Sequence, residues 1–196
     1  SNTTASNNTA VGYQAGYSNT TGTYVDAFGF TALNKNTTGQ QNVGIGTQAL
    51  FNNTTASYNT AVGTAALYNN TTGAYNTALG HTALFSNTTA SDNVAVGYQA
   101  AYSSTGQRNT AIGAYSGKAT TTGSVTAVGA YVLYSNTTGA GNTAMGGNNG
   151  AENASMQNNT TGSYNTAMGV GSLQANTTAS YNTAVGYQAG YGLSRI

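Results

Sequence analysis

A glycine returns along this chain at a nearly constant step. It stands at Gly12, Gly29, Gly46, Gly63, Gly80, Gly97, Gly113, Gly129, Gly146, Gly169 and Gly186, 17 residues apart in seven intervals, 16 in two and 23 in one. Each glycine closes a unit of the form NTAVG, followed by a short apolar run and then NTTG. A period this short and strict marks a solenoid, in which one repeat is one coil and the fold grows along a single axis. Composition alone would mislead, because only 26 of the 196 residues are Val, Ile, Leu or Phe. In an aperiodic chain that scarcity points to disorder. Here the net charge is only +1 and the apolar residues keep phase with the repeat. Few bulky side chains and almost no charge suit stacked backbone ladders built from small residues.

The coil from Tyr58 to Gly73 serves as the template. Thr60 to Val62 is a short β-favouring run closed by Gly63, and Ala65 to Tyr68 is a second. Gly63 supplies a corner, and Asn70 to Gly73 reads as a turn in which Asn bonds its local backbone. Recurrent Gly, Asn and Thr oppose a helix. The sequence therefore predicts an all-β chain: a parallel β-solenoid, or β-roll, of about eleven 17-residue coils with two short strands each. It forms a single domain over residues 1–192, interrupted by an insertion loop at 147–157. Stacked at about 4.8 Å per coil, the rod is roughly 50 Å long. Residues 193–196 leave the pattern and read as a cap or as a latch into a neighbouring subunit.

Alternation along the first strand separates two columns. The residue before the glycine is always apolar: Val11, Phe28, Ile45, Val62, Leu79, Val96, Ile112, Val128, Met145, Met168 and Val185. This column is the expected core ladder. The residue one earlier is Ala10, Ala27, Ala61, Ala78, Ala95, Ala111, Ala127, Ala144, Ala167 or Ala184, with Gly44 the exception. A solvated face would accept Lys or Glu, so the alanines are expected to pack against a neighbouring chain. In the second run, Leu33, Leu50, Leu67, Leu84, Leu133 and Leu173 each precede another residue of the wall, which at four coils is Phe51, Tyr68, Phe85 or Tyr134. Adjacent large residues point to opposite faces, so one thin coil cannot bury both, and association is the economical solution.

Several functions are disfavoured by the inventory. Only four basic residues, Lys35, Arg108, Lys118 and Arg195, are scattered along the chain, too few for phosphate neutralisation, so no nucleic-acid partner is expected. Cysteine is absent, which removes disulfides and thiolate metal sites. No apolar stretch approaches a membrane span of about 20 residues, and no signal peptide is visible. His81 has no second His or acid in a matching position and reads as a surface variant. No nucleophile, base and orienting group can be assembled, so the chain is expected to be neither an enzyme nor a cofactor or metal carrier.

At the NTAVG unit the chain resembles the YadA-like head repeats of trimeric autotransporter adhesins. Thr60, Ala61, Val62, Gly63 and Ala66 fit that pattern, as do Thr77, Ala78, Leu79, Gly80 and Ala83. The resemblance implies a left-handed parallel β-roll, three chains side by side, and adhesion at a cell surface. The NTTG corners are similar to repeats of phage tail-fibre shafts and of long extracellular repeat proteins.

The NTT triplets begin at Asn2, Asn19, Asn36, Asn53, Asn70, Asn87, Asn136, Asn159 and Asn176. Each matches the acceptor pattern for N-linked glycans, with O-linked sugar open to the threonines; the other reading is a stacked corner of side-chain hydrogen bonds. The column Thr9, Thr60, Thr77, Thr110, Thr143, Thr166 and Thr183 raises ice binding but breaks at Asp26, Val43 and Val94. Tyr13, Tyr98 and Tyr187, with Tyr17, Tyr102 and Tyr191, could stack on sugars, cap the core or line a chain interface. The insertion at Gly147 to Gln157 reads either as a recognition loop or as a tolerated decoration. The chain starts in mid-repeat without Met and stops nearly in phase with its own beginning, which suggests a processed or partial product and head-to-tail stacking. These features add up to a structural or adhesive extracellular fibre protein, assembling with itself as a lateral trimer, an axial filament or both. Host or environmental glycans are further candidate partners. A virion tail-fibre shaft is the alternative, and a monomeric ice- or carbohydrate-binding solenoid a minor one.

Overall fold

The computed structural model describes residues 4–148 and 153–192. Eleven three-residue strands follow one another: β1 Thr9–Val11, β2 Asp26–Phe28, β3 Val43–Ile45, β4 Thr60–Val62, β5 Thr77–Leu79, β6 Val94–Val96, β7 Thr110–Ile112, β8 Thr126–Val128, β9 Thr143–Met145, β10 Thr166–Met168 and β11 Thr183–Val185. They form one parallel sheet in sequence order, and no helix occurs among the described residues. The register is set by the repeat, with Thr60 opposite Thr77, Ala61 opposite Ala78 and Val62 opposite Leu79. The shorter and longer coils keep that register, pairing Thr110 with Thr126 and Thr143 with Thr166. Ten steps at roughly 4.8 Å make the sheet about 48 Å long.

Each coil has one strand, not the two expected. The segment Ala65 to Tyr68 is a run of turns, because Ala65 and Leu67 hold left-handed φ values of 53° and 52°. Alternating hand turns successive peptides over. The Ala65 N–H donates to Thr47 in the coil before (2.8 Å), and the Leu67 N–H to Ala83 in the coil after (2.9 Å). The wall is thus hydrogen-bonded in both axial directions without being a strand. Gly63 is the corner the sequence suggested. Its φ is 133°, and a Cβ there would lie 2.6 Å from the Gly80 carbonyl oxygen, so a side chain would collide with the next coil.

The two columns of the strand are exchanged relative to expectation. Ala27, Ala61, Ala78, Ala95, Ala111, Ala127, Ala144 and Ala167 are buried inside the coil, as is nearly all of Ala184, while Ala10 is exposed in the first coil. The nine buried alanines cannot line a contact with another chain. The presumed core ladder faces out: Val11, Phe28, Ile45, Leu79, Ile112, Met145, Met168 and Val185 are exposed, and Val62, Val96 and Val128 are half-buried. The reason is lumen width. Leu33, Leu50, Leu67, Leu84, Leu133 and Leu173, all fully buried, fill the coil from the opposite wall. At Gly44, the one coil without the alanine, an added Cβ would sit 3.1 Å from Leu33 Cδ1. Nothing larger than alanine fits opposite leucine. The neighbours Phe51, Tyr68, Phe85 and Tyr134 are half-exposed, as alternation required.

The interior divides into two apolar clusters, one from Val25 to Ala111 and the other from Val125 to Ala184. They part where Ala101 and Gly117 take the place of leucine. The insertion is narrower than expected: Ala154, Ser155, Met156 and Gln157 are buried in the wall, with Met156 filling the leucine position. Its centre, 149–152, lies outside the described residues, as does the expected latch at 193–196.

Candidate functional site

The NTT asparagines form an internal ladder. Asn36 Nδ2 donates to Asn19 Oδ1 (2.9 Å), Asn53 to Asn36 (2.8 Å), Asn70 to Asn53 (3.0 Å) and Asn87 to Asn70 (2.9 Å). The second hydrogen of each amide closes its own corner on the carbonyl three residues on, as from Asn53 to Ala56 (3.0 Å). The ladder resumes with Asn159 donating to Asn136 (2.7 Å) and Asn176 to Asn159 (2.8 Å). Asn19, Asn36, Asn53, Asn70, Asn87, Asn136, Asn159 and Asn176 are all buried. An N-linked sugar would displace an amide hydrogen and find no space, so these residues are corner fasteners and not glycan acceptors. Asn2 lies outside the described residues. The two threonines of each triplet differ. The first is hydrogen-bonded in six coils, as Thr37 Oγ1 is to the Thr54 carbonyl (3.0 Å); the second, Thr38, Thr55, Thr72 and their equivalents, is exposed.

A second asparagine ladder escaped the sequence reading. Asn8, Asn42, Asn59, Asn76, Asn93, Asn109, Asn142, Asn165 and Asn182 stand four residues before the repeat glycine. Asn42 Oδ1 accepts the Asn59 N–H (3.0 Å), and Asn59 Oδ1 accepts that of Asn76 (2.9 Å). Asn42 Nδ2 reaches the Ala56 carbonyl (2.7 Å), which therefore receives two asparagines. The signal was the column itself, present in nine of eleven coils.

The first ladder breaks between Asn87 and Asn136, where Ser104 and Thr120 replace asparagine. Asn87 Oδ1 and Thr120 Oγ1 are left buried without a protein partner. Beside the break, a shallow polar groove of about 350 Å³ opens between Thr105–Arg108 and Thr121–Ser124.

The outward sheet face is the surface the fold repeats most faithfully. Eleven apolar side chains run along it without interruption, beside a column in which eight of eleven residues are threonine. That neighbouring column accepts Asp26; the apolar one accepts no polar residue. The hydroxyls of Thr60, Thr77, Thr110, Thr126, Thr143, Thr166 and Thr183 make no hydrogen bond among the described residues.

Aromatic rings stack on the other faces. Phe51, Tyr68, Phe85 and Tyr102 form one stack with centroids 5.1–5.3 Å apart. Tyr58 stacks on Tyr75 (4.9 Å) and Tyr164 on Tyr181 (5.3 Å). Tyr13 stacks on Phe30 and Tyr98 on His81, while Tyr17, Tyr187 and Tyr191 are exposed, so none of these six tyrosines caps the core. Rings stacked face to face along the axis have little free face for a sugar. His81 is exposed, with Thr82 Oγ1 3.2 Å from Nδ1. Lys118 Nζ lies 5.2 Å from the rings of both Tyr115 and Tyr134, and burial together with the Tyr98 phenol raises the Tyr115 hydroxyl above its ordinary pKa. Among the described residues no group of three metal-ligating side chains occurs, and no helix is long and apolar enough to cross a membrane.

No protein-family model, curated protein or solved structure matches the chain.

Proposed function

We propose that this chain is a structural unit of an extracellular fibre or adhesin head, which associates side by side with copies of itself through the outward sheet face. The observation that carries the reading is the outward apolar column from Val11 to Val185, unbroken in residue type and exposed at eight of its eleven positions, with Leu79 46 % and Ile112 40 % exposed. A contiguous apolar stripe on a soluble surface marks a contact. Because every copy repeats the stripe once per coil, two parallel rods present the same pitch to each other over their whole length. Association was expected from the sequence through the alanines; it is proposed here through the column on the other side of the strand. The reading is structural and not catalytic because what the fold multiplies is a surface.

The test is light scattering and electron microscopy of the purified chain beside a double variant, Leu79→Glu with Ile112→Glu. The unmodified chain is expected as an oligomer or filament, and the variant as single rods with an unchanged circular dichroism spectrum. An unmodified chain that stays monomeric at high concentration would sink the proposal.

A further inference from the structure

Five tyrosines share the position just before the second asparagine ladder: Tyr24, Tyr58, Tyr75, Tyr164 and Tyr181. All hold left-handed φ values between 56° and 63°, a conformation in which glycine is cheaper and which one coil fills with Gly141. A bulky ring is therefore retained there against backbone preference. In two places such tyrosines occupy adjacent coils. Tyr58 and Tyr75 are stacked at 4.9 Å with their planes 5° apart, and Tyr164 and Tyr181 at 5.3 Å and 12°. All four are exposed. In-register neighbours place the two phenols side by side in nearly parallel planes.

We propose that the pairs Tyr58–Tyr75 and Tyr164–Tyr181 are oxidative cross-linking sites, where a dityrosine bond fastens one coil to the next. The co-reactant is hydrogen peroxide with a haem peroxidase. Each phenol gives up one proton and one electron, and the peroxide is reduced to two waters. The two phenoxyl radicals join through a carbon–carbon bond between positions ortho to the hydroxyls. The hydrogens on those carbons then move to the oxygens, restoring both phenols, so the product lacks two hydrogen atoms in all. Holding the rings in contact makes coupling within the pair faster than any encounter between chains.

The other aromatic contacts in the fold act as built-in controls. In the Phe51–Tyr68–Phe85–Tyr102 stack, phenylalanine separates every pair of phenols. Tyr24 is followed in its column by Gln41. Tyr115 and Tyr131 stack at 4.9 Å, but both are half-buried and Lys118 lies over Tyr115; the contacts Tyr98–Tyr115 (5.2 Å), Tyr115–Tyr134 (6.3 Å) and Tyr131–Tyr134 (5.7 Å) are edge-on or tilted, not parallel.

The experiment treats the intact chain with peroxidase and peroxide and maps cross-linked peptides by mass spectrometry, with dityrosine fluorescence as the rate. The expected products join 58 to 75 and 164 to 181, in a yield that does not fall on dilution. Tyr75→Phe keeps a stacked ring and should lose the first product while leaving the second. Coupling scattered over Tyr13, Tyr24 and Tyr187, a yield that falls on dilution, or survival of the first product in Tyr75→Phe would each overturn the assignment. The dilution arm separates it from lateral association, whose cross-links would run between chains.

Discussion

Replacing Asn53 by alanine should destabilise the rod locally and strongly. Its amide donates to Asn36 Oδ1 (2.8 Å) and to the Ala56 carbonyl (3.0 Å), and its oxygen accepts from Asn70 Nδ2 (3.0 Å). The Ala56 carbonyl keeps Asn42 as a donor (2.7 Å). Two buried groups are then left without partners, Asn36 Oδ1 and one hydrogen of Asn70. At about 1–3 kcal/mol for each orphaned buried group, the loss is about 2–6 kcal/mol. For a chain of this size that corresponds to a fall in melting temperature on the order of 5–20 °C. The comparison is Asn52→Ala, one residue away. Asn52 is half-exposed and bonds Lys35 Nζ (2.9 Å) and Asn69 Oδ1 (3.2 Å) on the surface, a loss of less than about 1 kcal/mol. Thermal melts give the magnitude, and amide hydrogen exchange gives the location. In a stack coupled mainly to nearest neighbours, faster exchange should be confined to the coils holding Asn36, Asn53 and Asn70. Equal losses for the two variants, or exchange rising evenly along the whole rod, would refute the view that the buried ladder holds the corners together.

Thr120→Val replaces a buried hydroxyl that lacks a protein partner by a methyl of similar size, and should raise stability by about 1 kcal/mol in the same melts; a decrease would reveal a buried water bridging the gap. Ala61→Leu forces a large side chain into the filled lumen and should cost about 1–3 kcal/mol, whereas Val62→Thr on the outside should change the melting of the dissociated chain by less than about 0.5 kcal/mol. The Tyr115 hydroxyl is raised in the folded chain, so above the ordinary tyrosine pKa the unfolded state loses its proton first. Stability from this group is therefore whole below that pKa and falls as pH rises towards the folded value, to be checked by ultraviolet titration and melts, with Tyr115→Phe removing the slope.

The period was legible because it is a property of spacing, and spacing also set the register: residues 17 apart, such as Thr60 and Thr77, face each other in the sheet. Which face of the strand lies inside was not legible. Alternation says that Ala61 and Val62 point opposite ways, but not which way is in. That choice depends on the width of the lumen, fixed by the far wall, where Leu67 and Ala65 adopt left-handed conformations their side chains disfavour. Residue type therefore gave no warning, and the same left-handed turns hid the absence of a second strand. The buried Asn53 and its equivalents carry a glycan-acceptor pattern that is local in sequence, whereas their burial is decided by the neighbouring coils.

The break at Ser104 and Thr120 coincides with the division of the apolar interior, while the sheet runs through it from β7 to β8 without interruption. Mechanically the chain is two stiff segments in series joined by a softer seam. Bending or tension concentrates at such a seam, where the first asparagine ladder is missing and main-chain bonds, Asn109 of the second ladder and the Tyr115–Tyr131 contact are left to resist opening. Strain taken up there spares the laddered coils on either side, so a long object made from this unit would flex at a fixed place in every subunit.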